Sequence, residues 1–186
     1  DGEHQMSVAP VEGSFTEGVV QENAIRYNIV FPHVDFQYTV LGSSVKEDIL
    51  LLSREARNSF SYELRTNGLQ TTLLHNTLFL HEEGADPEKE AVFVLEAPEM
   101  EDAAGEISFG VRLDLEHTDE GCVVTVTGDS QWLQAPERVY PVRLDPTAIQ
   151  VPKSAIHVAC AEEGSPNIVI GDNSYPYVGY DDGITS

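Results

Sequence analysis

Alternation of apolar and polar residues with a period of two is the feature that most constrains the fold of this chain. In residues 34–40, apolar positions alternate with Asp35, Gln37 and Thr39. The same alternation recurs in residues 60–64, 107–115 and 140–144. Because successive side chains of a strand point to opposite faces, each segment predicts a strand with one buried and one solvent-facing side.

Further strands are predicted between turn residues along most of the chain. Apolar runs at residues 25–31, 45–52, 69–74, 78–81, 91–95 and 122–127 are separated by Gly, Pro, Asn and Asp. No segment carries an apolar helical stripe with caps, and the nearest, residues 53–59, would make one or two turns. Many short strands with regular turns indicate an all-β fold, an antiparallel β-sandwich. The predicted core includes Phe36, Tyr38, Phe60, Tyr62, Phe109, Val111, Leu113 and Trp132.

Three regions are predicted along the chain. Residues 1–24 form an N-terminal extension and residues 25–150 form the main sandwich. A connector with Pro146 and Pro152 then leads to residues 151–186, which are richer in Gly, Pro and Asn and predict the start of a second β-sandwich. The chain begins at Asp1 with neither a signal peptide nor an initiator methionine, which suggests a piece of a longer protein.

The charge balance restricts the partners that this chain is expected to bind. Ten Lys and Arg residues stand against 32 Asp and Glu residues, a formal net charge of −22. Each phosphate contact needs a Lys or Arg, so no nucleic-acid partner is predicted. An anionic lipid surface is disfavoured for the same reason, and no apolar run reaches the ~18 residues of a membrane span, so no membrane insertion is predicted. A divalent cation or a basic partner fits the charge.

Four sequence elements, in order, carry a resemblance to a known family. They are Asp35-Phe36-Gln37-Tyr38, Val45-Lys46-Glu47-Asp48-Ile49-Leu50-Leu51, Ala97-Pro98-Glu99-Met100-Glu101-Asp102-Ala103-Ala104-Gly105, and Trp132-Leu133 followed by Arg138-Val139-Tyr140-Pro141-Val142-Arg143-Leu144-Asp145-Pro146-Thr147. Together they resemble a β-rich region of large secreted RHS/YD-repeat proteins of the wall-associated type. The motif positions are Asp35, Tyr38, Lys46, Glu47, Asp102, Tyr140, Pro141, Asp145 and Pro146.

The resemblance extends toward the C-terminal end. Pro166-Asn167 and residues 177–182 are similar to the start of a DNRLRE-type β module. The family implies a bacterial protein that is secreted or exposed at the cell surface, with any toxin lying beyond this chain. It implies a non-catalytic structural or adhesion module, not an enzyme, whose partners are other domains of the same long chain and a cell-wall or surface glycan or protein.

Two other functions are compatible with the residues. A carbohydrate-binding module would use exposed aromatic rings, for which Trp132, Tyr175, Tyr177 and Tyr180 are the candidates. A glycan hydrolase would need two carboxyl groups at a separation of about 5–10 Å, which a chain this rich in acids can supply by accident.

Metal-ion chemistry is predicted only near the C-terminal end. Asp172, Asp181 and Asp182 lie in oxygen-rich turns of the kind that calcium favours, although turn formation alone explains such residues. No other cofactor and no catalytic residue is predicted, because no histidine, cysteine or serine has the spacing of a metal or nucleophile motif.

Lys46 and the two cysteines each leave an alternative open. Lys46 lies in a predicted strand, where its charge is expected to pair with an acid such as Asp35, Glu47 or Asp48. The alternative is that Lys46 forms an isopeptide crosslink with an asparagine. Cys122 and Cys160 lie in valine-rich runs and favour free buried thiols over a disulfide.

Overall fold

The computed structural model describes residues 4–41, 44–119, 121–150, 158–159 and 168–170. These residues form strands joined by short turns and one helix of five residues, which confirms the all-β prediction. In chain order the elements are β1 (Met6–Pro10), β2 (Val19–Gln21), β3 (Ala24–Phe31), β4 (Val34–Leu41), β5 (Ser44–Leu51), β6 (Ser59–Thr66), β7 (Gln70–Leu74), β8 (Thr77–His81), β9 (Ala91–Leu95), β10 (Glu99–Glu101), β11 (Ile107–Ser108), β12 (Val111–Thr118), β13 (Gly121–Gly128), α1 (Ser130–Gln134), β14 (Val142–Gln150), β15 (Val158–Ala159) and β16 (Ile168–Ile170).

The strands form two sheets. The smaller sheet has six strands in the order β12-β13-β6-β1-β16-β15. The larger has ten, in the order β2-β3-β4-β5-β14-β9-β8-β7, with β10 beside β14 and β11 beside β10. The strand pairs of both sheets run antiparallel. Each sheet buries its apolar face, as the alternation predicts for a sandwich.

Aromatic rings join the two sheets at the centre of the core. Phe36 of β4 lies 5.9 Å, between ring centroids, from Phe60 of β6 and 6.5 Å from Tyr62. Phe15 and Phe31 pack on the same ring from the side, at 5.7 and 6.1 Å. The predicted core residues Phe36, Phe60, Tyr62, Val111 and Leu113 are buried, and Tyr38 and Trp132 are half-buried against the core.

Phe109 departs from the predicted core, because its side chain is 78 % exposed. The alternation in residues 107–115 suggests one continuous strand, but the structure has two. β11 ends at Ser108 and β12 begins at Val111, and the carbonyl oxygen of Gly110 accepts a hydrogen bond from the Asp129 backbone N–H at 2.7 Å. This contact holds the break between the two strands, so the face that is buried in β12 is not the face that carries Phe109.

The helix α1 lies outside the segment in which the sequence came nearest to predicting one. Residues 53–56 of that segment form a turn, in which the Ala56 N–H donates to the Ser53 carbonyl oxygen at 3.1 Å, and residue 59 already belongs to β6. α1 begins instead after Asp129, whose side chain accepts a hydrogen bond from the Gln131 backbone N–H, and only Leu133 of its residues is buried. Such a one-turn helix is too short to show an apolar period.

Strands at both ends of the described chain enter the sheets. β1 lies within the predicted N-terminal extension, yet it pairs with β6 and buries Met6. On its other side β1 pairs with β16, through Met6 with Ile170 and Val8 with Ile168. The division into residues 1–24, 25–150 and 151–186 stays a prediction.

The edge strand β12 is partly covered by a side chain from a hairpin. His75 and Asn76 join β7 to β8 with positive φ angles of 50° and 63°, the conformation of a two-residue type I′ turn. The Asn76 side-chain amide donates to the Val111 carbonyl oxygen at 2.8 Å and accepts from the Leu113 N–H at 2.7 Å. It therefore occupies backbone groups that an added strand would otherwise use.

We expect Asn76→Gly to lower the free energy of unfolding by about 1–2 kcal/mol, because glycine keeps the positive φ angle but removes both hydrogen bonds. Asn76→Ala should cost about 1 kcal/mol more, since alanine adds strain in the left-handed region. Urea denaturation of both variants measures these differences. A glycine variant as stable as the parent protein would show that the two bonds contribute nothing.

Candidate functional site

Several charged residues of the sequence motifs lie on the outer face of the larger sheet, among them Asp35, Lys46, Asp48 and Asp145. Asp35 of β4 accepts hydrogen bonds from Arg26 Nη2 at 2.7 Å and from the Ile29 backbone N–H at 2.6 Å. The register between β3 and β4 shifts between Tyr27 and Phe31, and Ile29 lies in this bulge with a φ angle of 54°. The buried Asp35 carboxylate therefore fastens an irregular backbone segment.

Lys46 lies between two carboxylates of this face. Its Nζ is 3.0 Å from Asp48 Oδ1 and 2.8 Å from Asp145 Oδ2. Burial alone would lower the pKa of Lys46, but the hydrogen bonds that its ammonium group donates to Asp145 and Asp48 outweigh this effect and raise the pKa. The amine is thus held as an ammonium ion, which is not nucleophilic. Arg143 continues the network by pairing with Glu101 and approaching Asp48 at 3.7 Å.

The network can be compared with the prediction that Lys46 pairs with a nearby acid. The lysine pairs with Asp48 on the same strand, which is one of the predicted acids, and with Asp145 on the neighbouring β14, which was not named. It does not pair with Asp35 or Glu47. Strand alternation explains the choice, because Lys46 and Asp48 share the outer face whereas Glu47 points inward.

Glu47 is the one acid of this motif that lies between the sheets. Glu47 is only 6 % exposed, and its carboxyl group faces the hydroxyl groups of Tyr38 and Tyr62. Burial raises the pKa of Glu47 to about 7, against the lowering effect of the two hydroxyls, and the charges of Asp48 and Asp145 add to the rise. Burial also raises the pKa of both tyrosines, so their hydroxyls stay neutral.

The surroundings of Glu47 are otherwise apolar. Oε1 of Glu47 and the hydroxyl of Tyr62 are buried without a hydrogen-bond partner among the described residues. They border a cavity of about 20 Å³ that is lined further by Val8, Leu64, Leu95, Leu113, Val124 and Val126. A neutral carboxyl group is the form that this setting favours, because an unpaired buried charge is costly.

Asp102 organises a second cluster, which joins the third and fourth sequence elements. Its Oδ1 accepts from the backbone N–H groups of Ala104 and Glu106 at 2.9 and 3.0 Å. Its Oδ2 accepts from Arg138 Nη1 at 2.7 Å and from the Val139 N–H at 3.1 Å. Burial would raise the pKa of Asp102, but these four hydrogen bonds lower it to about 2. The loop that follows β10 is thereby fixed to the segment that precedes β14.

Arg138 and Tyr140 tie the same cluster to α1. The guanidinium carbon of Arg138 lies 3.6 Å from the centre of the Trp132 ring, and the Tyr140 hydroxyl donates to the Leu133 carbonyl oxygen at 2.9 Å. Trp132, a candidate for glycan stacking, thus carries a guanidinium on its ring. Sequence reasoning missed Arg138 as the central partner, although its place beside Tyr140 in the motif was visible.

The two prolines among the motif positions, Pro141 and Pro146, lie where the backbone is irregular. The Tyr140–Pro141 peptide bond is cis and Pro141 lies just before β14. Pro146 lies in β14 where its register with β5 shifts between Leu144 and Thr147.

Several predicted site residues lie outside the described residues. They are Asp172, Asp181, Asp182, Tyr175, Tyr177, Tyr180 and Cys160. Calcium binding therefore stays a prediction. Within the described ranges, no three His, Cys, Asp or Glu residues are grouped so that they could hold a metal ion, and Cys122 is a buried free thiol whose pKa is raised by burial.

The positive charges of the described chain are engaged with oxygen atoms of the same molecule. Arg54 donates to the Pro136 carbonyl oxygen at 2.9 Å. The other lysines and arginines that the structure describes each lie within ion-pair distance of a carboxylate, and they are Arg26, Lys46, Arg57, Arg65, Lys89, Arg112, Arg138 and Arg143. The described surface therefore has many free acids and few cations available for a phosphate.

Comparison with known proteins gives three curated relatives that are named as nucleases. The chain is 32 % identical over 153 residues to the tRNA nuclease WapA of Bacillus subtilis strain 168, and 32 % identical over 153 residues to the tRNA3(Ser)-specific nuclease WapA of Bacillus spizizenii. It is 35 % identical over 132 residues to the tRNA(Glu)-specific nuclease WapA of Bacillus subtilis subsp. natto. These matches cover 78 %, 78 % and 67 % of this chain. No protein-family model and no solved structure matches it.

The relatives are far longer than this chain. Each match covers 6 % of the relative's length. The chain thus corresponds to a small part of long proteins, in agreement with the prediction that its partners include other domains of one long chain.

The names of the relatives correct the predicted identity and function. The RHS/YD-repeat and DNRLRE assignment is wrong, because the matched proteins are named as WapA nucleases and nothing specific to those modules is found. The predicted adhesion module and its carbohydrate-binding and glycan-hydrolase alternatives are wrong for the same reason. The prediction that the protein is not an enzyme is wrong as well, because the relatives are named as nucleases. The exclusion of nucleic acid conflicts with relatives named for tRNA. The net charge of −22 describes only these 186 residues. It says nothing about the charge of a longer polypeptide, and the relatives extend far beyond the matched region.

Two further predictions concern membrane insertion and the location of the protein. In the part of the chain that the structure describes, no helix is long and apolar enough to cross a membrane. The predicted secretion or surface exposure stays a prediction.

We expect Glu47→Gln to become more stable than the parent protein as the pH rises. A folded-state pKa near 7, above the ordinary 4.5, means that the folded state holds a proton that the unfolded state releases. The stability contribution is complete below about pH 4.5 and is lost as the pH rises through 7, by up to about 3 kcal/mol. Denaturant unfolding of both proteins at pH 5 and pH 8 measures the change.

Glu116→Gln is the matched control for that experiment, because Glu116 is an exposed acid of β12 and its loss changes the net charge equally. Its stability difference from the parent protein should vary much less between the two pH values. A constant difference for Glu47→Gln would mean that Glu47 does not take up a proton in this range.

We expect Asp102→Asn to lower the melting temperature by several degrees, because it leaves the buried Arg138 guanidinium without its counter-charge. Asp114→Asn breaks the exposed pair with Arg112 and should change the melting temperature little. With its pKa lowered to about 2, Asp102 should stabilise the parent protein down to about pH 4, and this contribution should be lost between pH 4 and 2. Thermal scans at pH 7 and in acid measure both effects. Equal shifts for the two variants would contradict the role assigned to Asp102.

Proposed function

We propose that the polypeptide containing this chain cleaves tRNA. The observation that carries the proposal is the 32–35 % identity, over most of this chain, to three proteins named as tRNA-directed nucleases. Because the match covers 6 % of each relative, the proposal concerns the activity of the whole polypeptide.

We propose further that the tRNA phosphates are contacted by parts of the polypeptide outside this 186-residue chain. A protein that binds nucleic acid needs Lys or Arg side chains that are free to pair with phosphate. Eight of the described cations are paired with carboxylates and Arg54 with a carbonyl oxygen, and the net charge of the chain is −22. To bind tRNA here, these pairs would have to break against a surplus of acids, which disfavours this surface as the tRNA-binding one.

The test is cleavage of a tRNA pool by the complete polypeptide, followed on denaturing gels with magnesium and with a chelator. We expect discrete shorter fragments in at least one of the two conditions. A complete, folded polypeptide that leaves every tRNA intact in both conditions would overturn the proposal.

The isolated 186-residue chain is assayed beside it for tRNA binding at several salt concentrations. We expect the isolated chain to show no salt-dependent binding of tRNA. Its described cations are already paired, so they are not free to contact phosphates and release counterions from the tRNA. Salt-dependent binding by the isolated chain would place phosphate contacts within residues 1–186 and would overturn the second part of the proposal while leaving the first intact.

A further inference from the structure

The small cavity beside Glu47 lies between the two sheets. Its volume is about 20 Å³. The larger sheet contributes Glu47 of β5 and Leu95 of β9 to its walls, and the smaller sheet contributes residues of β1, β6, β12 and β13. These residues of the smaller sheet are Val8, Tyr62, Leu64, Leu113, Val124 and Val126. All the wall residues except the half-buried Val8 are buried, so the cavity belongs to the interior of the sandwich.

Two polar atoms at this cavity have no hydrogen-bond partner among the described residues. They are Oε1 of Glu47 and the hydroxyl oxygen of Tyr62. Both residues are more than nine-tenths buried, Glu47 at 6 % and Tyr62 at 4 % exposure. A buried polar group that gives up its hydration without gaining a hydrogen bond is costly, and most such groups are paired with protein atoms or with an ordered water molecule. Because the two atoms belong to opposite sheets, a shared partner would link the sheets.

The side chains of Glu47 and Tyr62 are held in place by their neighbours. The Tyr62 ring packs on the Phe36 ring at 6.5 Å between centroids, and Glu47 is fixed by the pairing of β5 with β4 on one side and β14 on the other. From this position the Tyr62 hydroxyl faces the carboxyl group of Glu47 but does not pair with Oε1. A molecule between the two groups would complete the hydrogen bonds of both.

The size and chemistry of the cavity suit one water molecule. A buried water needs roughly 10–15 Å³ and at least two polar partners, so a volume of about 20 Å³ holds one molecule and not two. Calcium or magnesium would need about six or more oxygen ligands, whereas the walls other than Glu47 and Tyr62 are apolar. A cavity with apolar walls alone stays dry, but the two unpaired atoms here can each bond to a water.

We propose that one water molecule is bound in this cavity and bridges Oε1 of Glu47 to the hydroxyl of Tyr62, as a long-lived polar link between the two sheets. The Tyr62 hydroxyl keeps its hydrogen, because burial raises its pKa. It donates this hydrogen to the water, and the water donates one of its own to Oε1. The proposal does not rest on the proposed function, since neither residue is assigned a part in tRNA cleavage.

A crystal structure of the 186-residue chain at atomic resolution tests the proposal directly. We expect one isolated density peak between the sheets, at about 2.5–3.0 Å from both Glu47 Oε1 and the Tyr62 hydroxyl oxygen. A Tyr62 hydroxyl bonded directly to Glu47, with no peak between them, would overturn the proposal. A peak at about 2.0–2.4 Å from Oε1 would overturn it too, because distances this short are those of metal–oxygen bonds.

Oxygen-17 relaxation dispersion of the solvent tests the same site in solution, because it counts long-lived bound water molecules and does not respond to the exchange of hydroxyl hydrogens. Tyr62→Phe removes one of the two partners, so the dispersion amplitude should fall by that of about one water molecule. Tyr140→Phe is the matched control, since it removes a tyrosine hydroxyl that donates to the Leu133 carbonyl oxygen outside the cavity. Its amplitude should equal that of the parent protein. Equal amplitudes for Tyr62→Phe and the parent protein would count decisively against the bridging water.

Discussion

The fold depends on the contact of Phe36 with Phe60 and Tyr62 across the interface between the two sheets. Phe36 of the larger sheet is fully buried and meets two rings of the smaller sheet, Phe60 and Tyr62 of β6, at centroid distances of 5.9 and 6.5 Å. Aromatic side chains bury more apolar area than any others, and the edge-on and tilted arrangements seen here are the favourable ones. Because alternation fixes which residues share a face with Phe36, this one contact sets the inward face of β4, and through the pairing register that of β5 and β14.

The same constraint explains why a short run of charged residues has opposite environments. In Lys46-Glu47-Asp48, the outer residues form ion pairs at the surface of the larger sheet, while Glu47 enters the interface beside Tyr38 and Tyr62. A one-residue shift of the strand would bury Lys46 and Asp48 and expose Ile49, so the register is strongly specified. The buried carboxyl costs stability at neutral pH, since its pKa is raised to about 7, and the aromatic contacts next to it must offset that cost.

Local patterns in the sequence allowed most strands and their buried faces to be predicted, but not the pairings between distant strands. β14 lies between β5 and β9, and β1 between β6 and β16, and nothing in the spacing of residues indicates such neighbours. Phe109 was placed wrongly because Gly110 and Asp129 interrupt a pattern that reads as continuous. Asp102 was found as a motif position, but its role depends on Arg138 and Val139, 36 and 37 residues away. Function was least accessible, because the named activity belongs to proteins of which this chain matches a small part.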